Sequence, residues 1–493
     1  MNSKIKALAL IATVFLTFSC VDLNQEPQSF LTEEQYIQLP QTIDIVNKSV
    51  NGLYNDLWDS NYGFNCRIIR FNMAADDLLS APKPNNAIFY LIDMSPSSSA
   101  NAADATTLWR NLWKVTRNAN KIINGIPLPA EEANAAIFKK TIAEAYFMRA
   151  LSYYYMVRIL GDMPIIKSGE EALKTQTRRK VEDVYNEVIV PDLLKAIADL
   201  PTISRTGISG TPSKYAAKTL LADVYMTMAG WPLKKGTEYY GKAAALSLEV
   251  INESGLSLTP KYSDLWKEAR KTESNEHIFT IQHSAKYGNP SQLGKSFYPR
   301  DFSPNGGWAD YYANPVFMNK YPNDDRKAFC YMTSWPTKAG VVTWDKSQDQ
   351  LPCISKYYDY DEGVAGKSAQ SNGITPILRY AHVLLMYAEA SNLATGTVNA
   401  KALECINKVQ ARSKSPLTTT TNSKAFDDAV FAERGWEFVA EYTRWFDIVR
   451  REKAAEVKPD IYQKSLYKAN NHFYYPIPNE EIEMTGWANN AGY

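Results

Sequence analysis

The sequence predicts a mainly α fold: a tetratricopeptide-like helical-repeat scaffold that carries long aromatic-rich loops and minor β structure. Three observations lead there. Apolar residues recur at helical spacing across 42–255 and again across 375–451. The helical stretches pair into hairpins near the roughly 34-residue tetratricopeptide size, and such pairs stack into a superhelix. Between 276 and 374 the helical period nearly vanishes, and Pro, Gly and aromatic residues take over. A loop region this long inside a compact chain is usually functional. The chain has 493 residues, 45% apolar and 22% charged, enough for a full core. A net charge of +1 offers no basic field for nucleic acid.

The N-terminus reads as a leader. Lys4 and Lys6 precede an apolar run over 7–18, and Ser19-Cys20 follows. The run is too short to span a bilayer as a helix. Cys20 at this junction resembles a bacterial lipobox, with plain secretory cleavage as the alternative. Lipid on Cys20 would leave a tethered protein beyond a polar linker in which Thr32 is a candidate helix cap.

Helices are expected over 42–59, 107–124 and 135–160, the last closed by Gly161 and Pro164. Another runs over 181–200 with a kink at Pro191. Thr211-Pro212 should cap and open the next, which reaches Gly230 and pairs with 237–252. Residues 60–106 read as loop, with Asp76-Asp77 capping or satisfying backbone. In the second loop region 278–284 reads as a short strand. It holds Tyr287, Phe297, Tyr298, Phe302, Trp308, Tyr311, Tyr312, Trp335, Trp344, Tyr357 and Tyr358. The whole chain contains 31 Tyr, 11 Trp and 18 Phe. Tyr and Trp give an apolar face with a polar edge, suited to sugars or peptides.

Residues 431–451 read as one amphipathic helix with a stripe of Phe431, Gly435, Phe438, Tyr442, Trp445 and Val449. Gly435 would let another helix come close. Glu433, Glu437 and Glu441 stack at four-residue spacing and repel one another, so cations from a neighbouring helix should meet them. Arg149 and Arg158 are the expected partners.

Known catalytic templates are missing: there is no H-E-x-x-H and no G-x-S-x-G. GVAGKS at 363–368 lacks the first Gly of a phosphate loop. His277 and His283 have no third ligand beside them, and DYDEG at 359–363 lacks the later Glu of a calcium loop. No metal and no cofactor is expected. Cys66, Cys330, Cys353 and Cys405 read as buried thiols, with a Cys330–Cys353 bridge as the alternative.

ERGWEFVAEYTRWFDIVR near the C-terminus resembles the signature of the SusD/RagB family. AADD at 74–77, AEAYFMRALSYYYMVRILGDMPII, NDDRKAF at 323–329, RYAHVLLMYAEA and YYPIPNEEIEM resemble further landmarks of that family, in order. His382 stands where the family often has an acid. The resemblance implies residues 1–19 as lipoprotein signal peptide and 20–493 as a single SusD-like domain. It implies a non-enzymatic outer-membrane lipoprotein, lipid-anchored through Cys20 at the cell surface, that captures a glycan for a SusC-like TonB-dependent transporter. Peptide capture, a glycan-degrading enzyme and a protein-binding scaffold are the alternatives. The family places its ligand in two variable regions, which here span Asn85, Phe89 and Tyr90 in the first and Tyr287, Tyr298, Trp308 and Trp335 in the second.

Overall fold

The computed structural model describes residues 42–57, 63–72, 74–80, 103–168, 173–303, 306–358, 371–459, 473–491 and 493. All but Thr42 belong to one compact unit, Ile43–Tyr493. The leader with Cys20, the first candidate loop with Asn85, Phe89 and Tyr90, and the segment 359–370 lie outside the described residues.

The scaffold opens with α1 (Ile43–Asp56), whose buried Val46, Val50 and Leu53 sit at steps of four and three on one face. After α2 (Gly63–Asn72) and strand β1 (Leu78–Ser80), α3 (Ala103–Gly125) and α4 (Glu132–Leu160) form the first long hairpin. At 29 residues α4 is about 43 Å long, and almost every residue from Thr141 to Leu160 is buried, so it forms the axis of the fold. Gly161 ends it at φ 77°, and a Cβ there would stand 2.9 Å from the Tyr474 ring. Both facts require glycine.

Next come α5 (Val181–Val184), a π turn at Tyr185–Ile189, and α6 (Val190–Asp199). The π turn ahead of Pro191 takes up the ring's clash and its missing donor. The helix α7 (Lys214–Ala229) is capped by Ser213, whose Oγ accepts from the Ala216 N–H at 3.2 Å. The expected cap, Thr211, instead turns its hydroxyl to Thr206. α8 (Thr237–Glu253) packs on α7.

The stack then continues in space but not in sequence. α8 packs against α9 (Tyr380–Thr395), which in turn meets α10 (Ala400–Arg412) and α11 (Ser423–Glu437). Residues between α8 and α9 are therefore an insertion hung from a helical stack. It leaves on β2 (His277–Gln282), bonds laterally through β3 (Tyr311–Ala313), and returns on β8 (Ile374–Arg379). β2 and β8 pair antiparallel from His277↔Arg379 to Gln282↔Ile374. β8 covers residues expected to begin the helix, which starts at Tyr380. β3 pairs antiparallel with β1, joining the first loop region to the insertion. Smaller ladders join β4 (Tyr331–Met332) to β7 (Cys353–Ile354), and β5 (Ser334–Thr337) to β6 (Gly340–Thr343). Register sets Cys353 opposite Met332, and Cys330 and Cys353 are buried free thiols, so the alternative of a bridge is not realised. Among the described residues no helix is long and apolar enough to cross a membrane.

The C-terminal strut is two helices rather than one. α11 stops at Glu437 and α12 (Arg444–Arg450) starts after a break in which Ala440 and Tyr442 take φ 61° and 67°. Such a break strands backbone groups in the core unless partners reach them. Asp77 Oδ2 accepts from the Ala440 N–H (3.0 Å), and Asn72 Oδ1 from the Trp445 N–H (2.8 Å). Lys356 donates to the Val439 carbonyl and Tyr262 to that of Glu437. Asp76 meanwhile pairs with Arg444 at 2.7 Å, so the Asp76-Asp77 pair is structural. Gly435 does face a close neighbour, the Arg444 guanidinium and the Phe317 ring rather than a second helix backbone.

The acidic row finds its cations elsewhere than expected. Arg149 pairs with Asp192, and Arg158 lies over the Tyr154 ring. Arg326 of the insertion meets Glu433 (2.5 Å) and Glu437 (2.8 Å); Arg379 of β8 meets Glu437, Glu441 and Glu276; Arg412 of α10 meets Glu437 and Glu276. Lys356 of the insertion pairs with Glu441. Each of these side chains is at most 4% exposed. Burial works to raise the Glu437 carboxyl, but Arg412, Arg379 and Arg326 outweigh it and hold the group well below the usual carboxylate range. Burial raises Glu433, which has one guanidinium to offset it. The network ties the insertion, through Arg326 and Lys356, to the break between α11 and α12.

Candidate ligand-binding loops

An insertion with little regular structure needs a core of its own, and aromatic rings supply it. Tyr298 is 0% exposed and packs on Phe302 and Tyr358, with centroids 5.1 and 4.9 Å away. Trp335, on β5, is 2% exposed, and its Nε1–H donates to Asp301 at 2.9 Å. Both were expected to offer faces to a ligand; both are instead packed inside. Phe297, Phe302, Tyr311, Tyr312 and Tyr358 are buried with them. Trp344 and Tyr357 are half-buried.

Two of the expected residues remain reachable. Tyr287 is 77% exposed, at the end of a one-turn helix closed by Gly288 in the left-handed region. Trp308 is half-buried. The backbone around Trp308 is laced to the short helix Leu293–Phe297 and the turn after it. Its N–H donates to the Lys295 carbonyl (2.6 Å), that of Ala309 to Tyr298 (2.9 Å) and that of Asp310 to Ser296 (2.9 Å). Gly307 donates to the Pro299 carbonyl, and a Cβ on it would lie 2.2 Å from the Tyr298 carbonyl oxygen. Only glycine allows that approach. Arg300 Nε–H donates to the Trp308 carbonyl at 3.1 Å, and Ala309 is held at φ 52°. So many fixed partners leave the backbone that carries the indole little freedom to lose on binding.

A cation stands over this ring, and further polar groups belong to the same loop. The Lys295 ammonium stands 5.4 Å from the centre of the indole, and Arg300 is exposed. Burial raises the Asp310 carboxyl, while Arg70, Ser296 and Arg300 pull it back. Tyr312 donates its hydroxyl proton to Asp349. An indole with a cationic donor over its face can stack on a sugar ring and offer a hydrogen bond to its hydroxyls. Lys295, Arg300 and Gly307 were not foreseen; the Gly306-Gly307-Trp308 run was the one signal in the sequence.

His277 and His283 are buried in the fold. Burial lowers His277 to about 4 and His283 to about 3, and His283 Nε2 bonds the Thr375 hydroxyl at 2.7 Å. Among the described residues no group of three metal-ligating side chains exists.

Comparison with known proteins adds three findings. Residues 331–493 match the model of the SusD family, and residues 29–226 match the model described as starch-binding associating with outer membrane. SusD-like protein P2 of Formosa agariphila is 26% identical, covering 99% of this chain and 99% of the relative. A SusD-like protein of Bacteroides ovatus is 27% identical over 91% of this chain and 82% of its own length. Among solved structures, a SusD superfamily protein of Parabacteroides distasonis superposes with a TM-score of 0.77 at 26% identity, covering 92% of this chain and 98% of that one. A laminarin-binding SusD-like protein shares the fold, with a TM-score of 0.75 at 22% identity over 91% of this chain and 99% of its own.

Proposed function

The chain belongs to the SusD family, and from that premise we propose that it captures an oligo- or polysaccharide at the cell surface without cleaving it. In this reading Cys20 carries the lipid that anchors it in the outer membrane, and a SusC-like TonB-dependent transporter receives the glycan. The observation that carries the reading is Trp308, a half-buried residue on a loop laced by backbone hydrogen bonds, with the Lys295 ammonium over its ring and Arg300 on its carbonyl. Tyr287 is the second stacking residue, and Asn85, Phe89 and Tyr90 complete the platform from the first loop region. Two neighbours in fold support the choice of a sugar: one is named laminarin-binding, and another was solved with a xylogluco-oligosaccharide.

Stacking on one indole is worth on the order of 1 kcal/mol, so two or three such contacts need hydrogen bonds to the sugar hydroxyls beside them to reach roughly millimolar affinity or better. Affinity electrophoresis of the purified protein through gels containing single polysaccharides tests this. Retardation by at least one glycan is expected, with no shortened product after long incubation. Migration unchanged in every glycan gel, or release of oligosaccharides, would contradict it.

A further inference from the structure

Tyr287 and Trp308, the two candidate residues left reachable, carry the same companion. The Lys286 ammonium stands 5.4 Å from the centre of the Tyr287 ring, and the Lys295 ammonium 5.4 Å from that of Trp308. A positive charge over an aromatic face is a weak contact when exposed, and lysines elsewhere on this chain's surface are commonly held by carboxylates. Lys242, for example, lies over Tyr239 and also pairs with Glu238 at 2.6 Å. Among the described residues neither Lys286, Lys295 nor Arg300 has a carboxylate within ion-pair distance. Arg300 spends only Nε–H on the Trp308 carbonyl, which leaves the rest of its exposed guanidinium fork unengaged.

Three acids of the insertion hydrogen-bond other side chains, although among the described residues the exposed Asp301 uses only one of its two carboxylate oxygens. Asp301 accepts the Trp335 indole proton. Asp310 is half-buried and bonded to Ser296, and Asp349 accepts the Tyr312 hydroxyl. Among the described residues the charged groups over these two rings are thus two ammoniums, and the Arg300 guanidinium sits at the Trp308 carbonyl. A neutral sugar needs acceptors as much as donors, because each hydroxyl brings both. A sugar ring that bears an anion would use what is left unspent here.

We infer that the captured glycan is acidic, its carboxylate or sulfate groups held by Lys286, Lys295 and Arg300 while Tyr287 and Trp308 take the ring faces. This rests on the glycan-binding reading above and names the class of ligand within it.

The test measures binding of the full-length protein in detergent to three sets of polymers. Polygalacturonate and alginate carry carboxylates only, dextran sulfate and carrageenan sulfates only, and a β-1,3-glucan and xyloglucan no charge. One charged set should bind about tenfold tighter than the neutral set, and which one identifies the anion. That binding should weaken steeply as salt rises from about 0.05 to about 0.5 M. Lys286→Met and Lys295→Met should each weaken it several-fold with an unchanged melting temperature, since both retain an apolar stem. Neutral glycans bound as tightly as charged ones, or methionine variants that bind the charged polymer like wild type, would overturn the inference and leave glycan capture standing. Failure to bind any polymer of the three sets would overturn both.

Discussion

Replacing Glu437 with Gln keeps the shape of the side chain and removes the one charge that three guanidiniums share. Glu437 is 0% exposed, and its carboxylate receives Arg326 at 2.8 Å, Arg379 at 2.5 Å and Arg412 at 2.5 Å. Glu433, Glu441, Glu276 and Asp324 would remain to balance Arg326, Arg379, Arg412 and Lys356, but none of them can reach all three guanidiniums. Removing one partner of a buried pair typically costs about 3–5 kcal/mol, because the remaining charge is left without compensation. Unfolding entropy of about 2.1 cal/mol/K per residue gives about 1 kcal/mol/K for 493 residues, so the melting temperature should fall by about 3–5 °C. The sign of the pH dependence follows from the lowered carboxyl. The unfolded state binds the proton first, so Glu437 stabilises the fold fully above its ordinary value of 4.5 and loses that contribution as pH falls below it. Scanning calorimetry at pH 7 and at stepwise lower pH should show the gap between wild type and Glu437→Gln narrowing on acidification. A variant that melts within about 1 °C of wild type at pH 7 would refute the reasoning.

Glu433→Gln should cost less than Glu437→Gln, because burial already raises that carboxyl against its single guanidinium; equal losses of melting temperature would count against this ranking. Gly307→Ala should weaken glycan binding about as much as loss of the indole and lower the melting temperature by about 1–3 °C, since its Cβ would meet the Tyr298 carbonyl at 2.2 Å and displace the loop. Binding unaffected by this alanine would show that the lacing does not matter. Cys20→Ala should move the protein from the membrane to the soluble fraction; retention in the membrane would mean that lipid on Cys20 is not the anchor.

The helical part of the fold was legible because its information is local. Val46, Val50 and Leu53 mark a face within one helix, and Gly161 marks its neighbour's end within one turn. The break at Ala440 was not, because the groups that satisfy it, Asn72, Asp77, Tyr262 and Lys356, lie far away in the chain. The same distance hid the cations of the acidic row. Arg149 and Arg158 sit on a helix of the right kind, whereas Arg326 and Arg379 come from the insertion and the strand that closes it. Aromatic content announced the insertion as a candidate binding region, but it could not sort rings by exposure. Tyr298 and Trp308 look alike in a Pro- and Gly-rich stretch. One is sealed beneath Phe302 and Tyr358, and the other is left half-open on the laced turn. That sorting depends on which strand of loop crosses which ring, and Gly306-Gly307 is the one local trace of it.

Calorimetric titration of Trp308→Ala with a glycan that the wild-type protein retains tests the central claim most directly, with Lys401→Ala, on helix α10, as control. Binding should weaken about tenfold in Trp308→Ala, equivalent to roughly 1.4 kcal/mol, and stay at the wild-type value in Lys401→Ala, with both variants melting like wild type. Equal affinity in the two variants would place the ligand elsewhere and contradict the account.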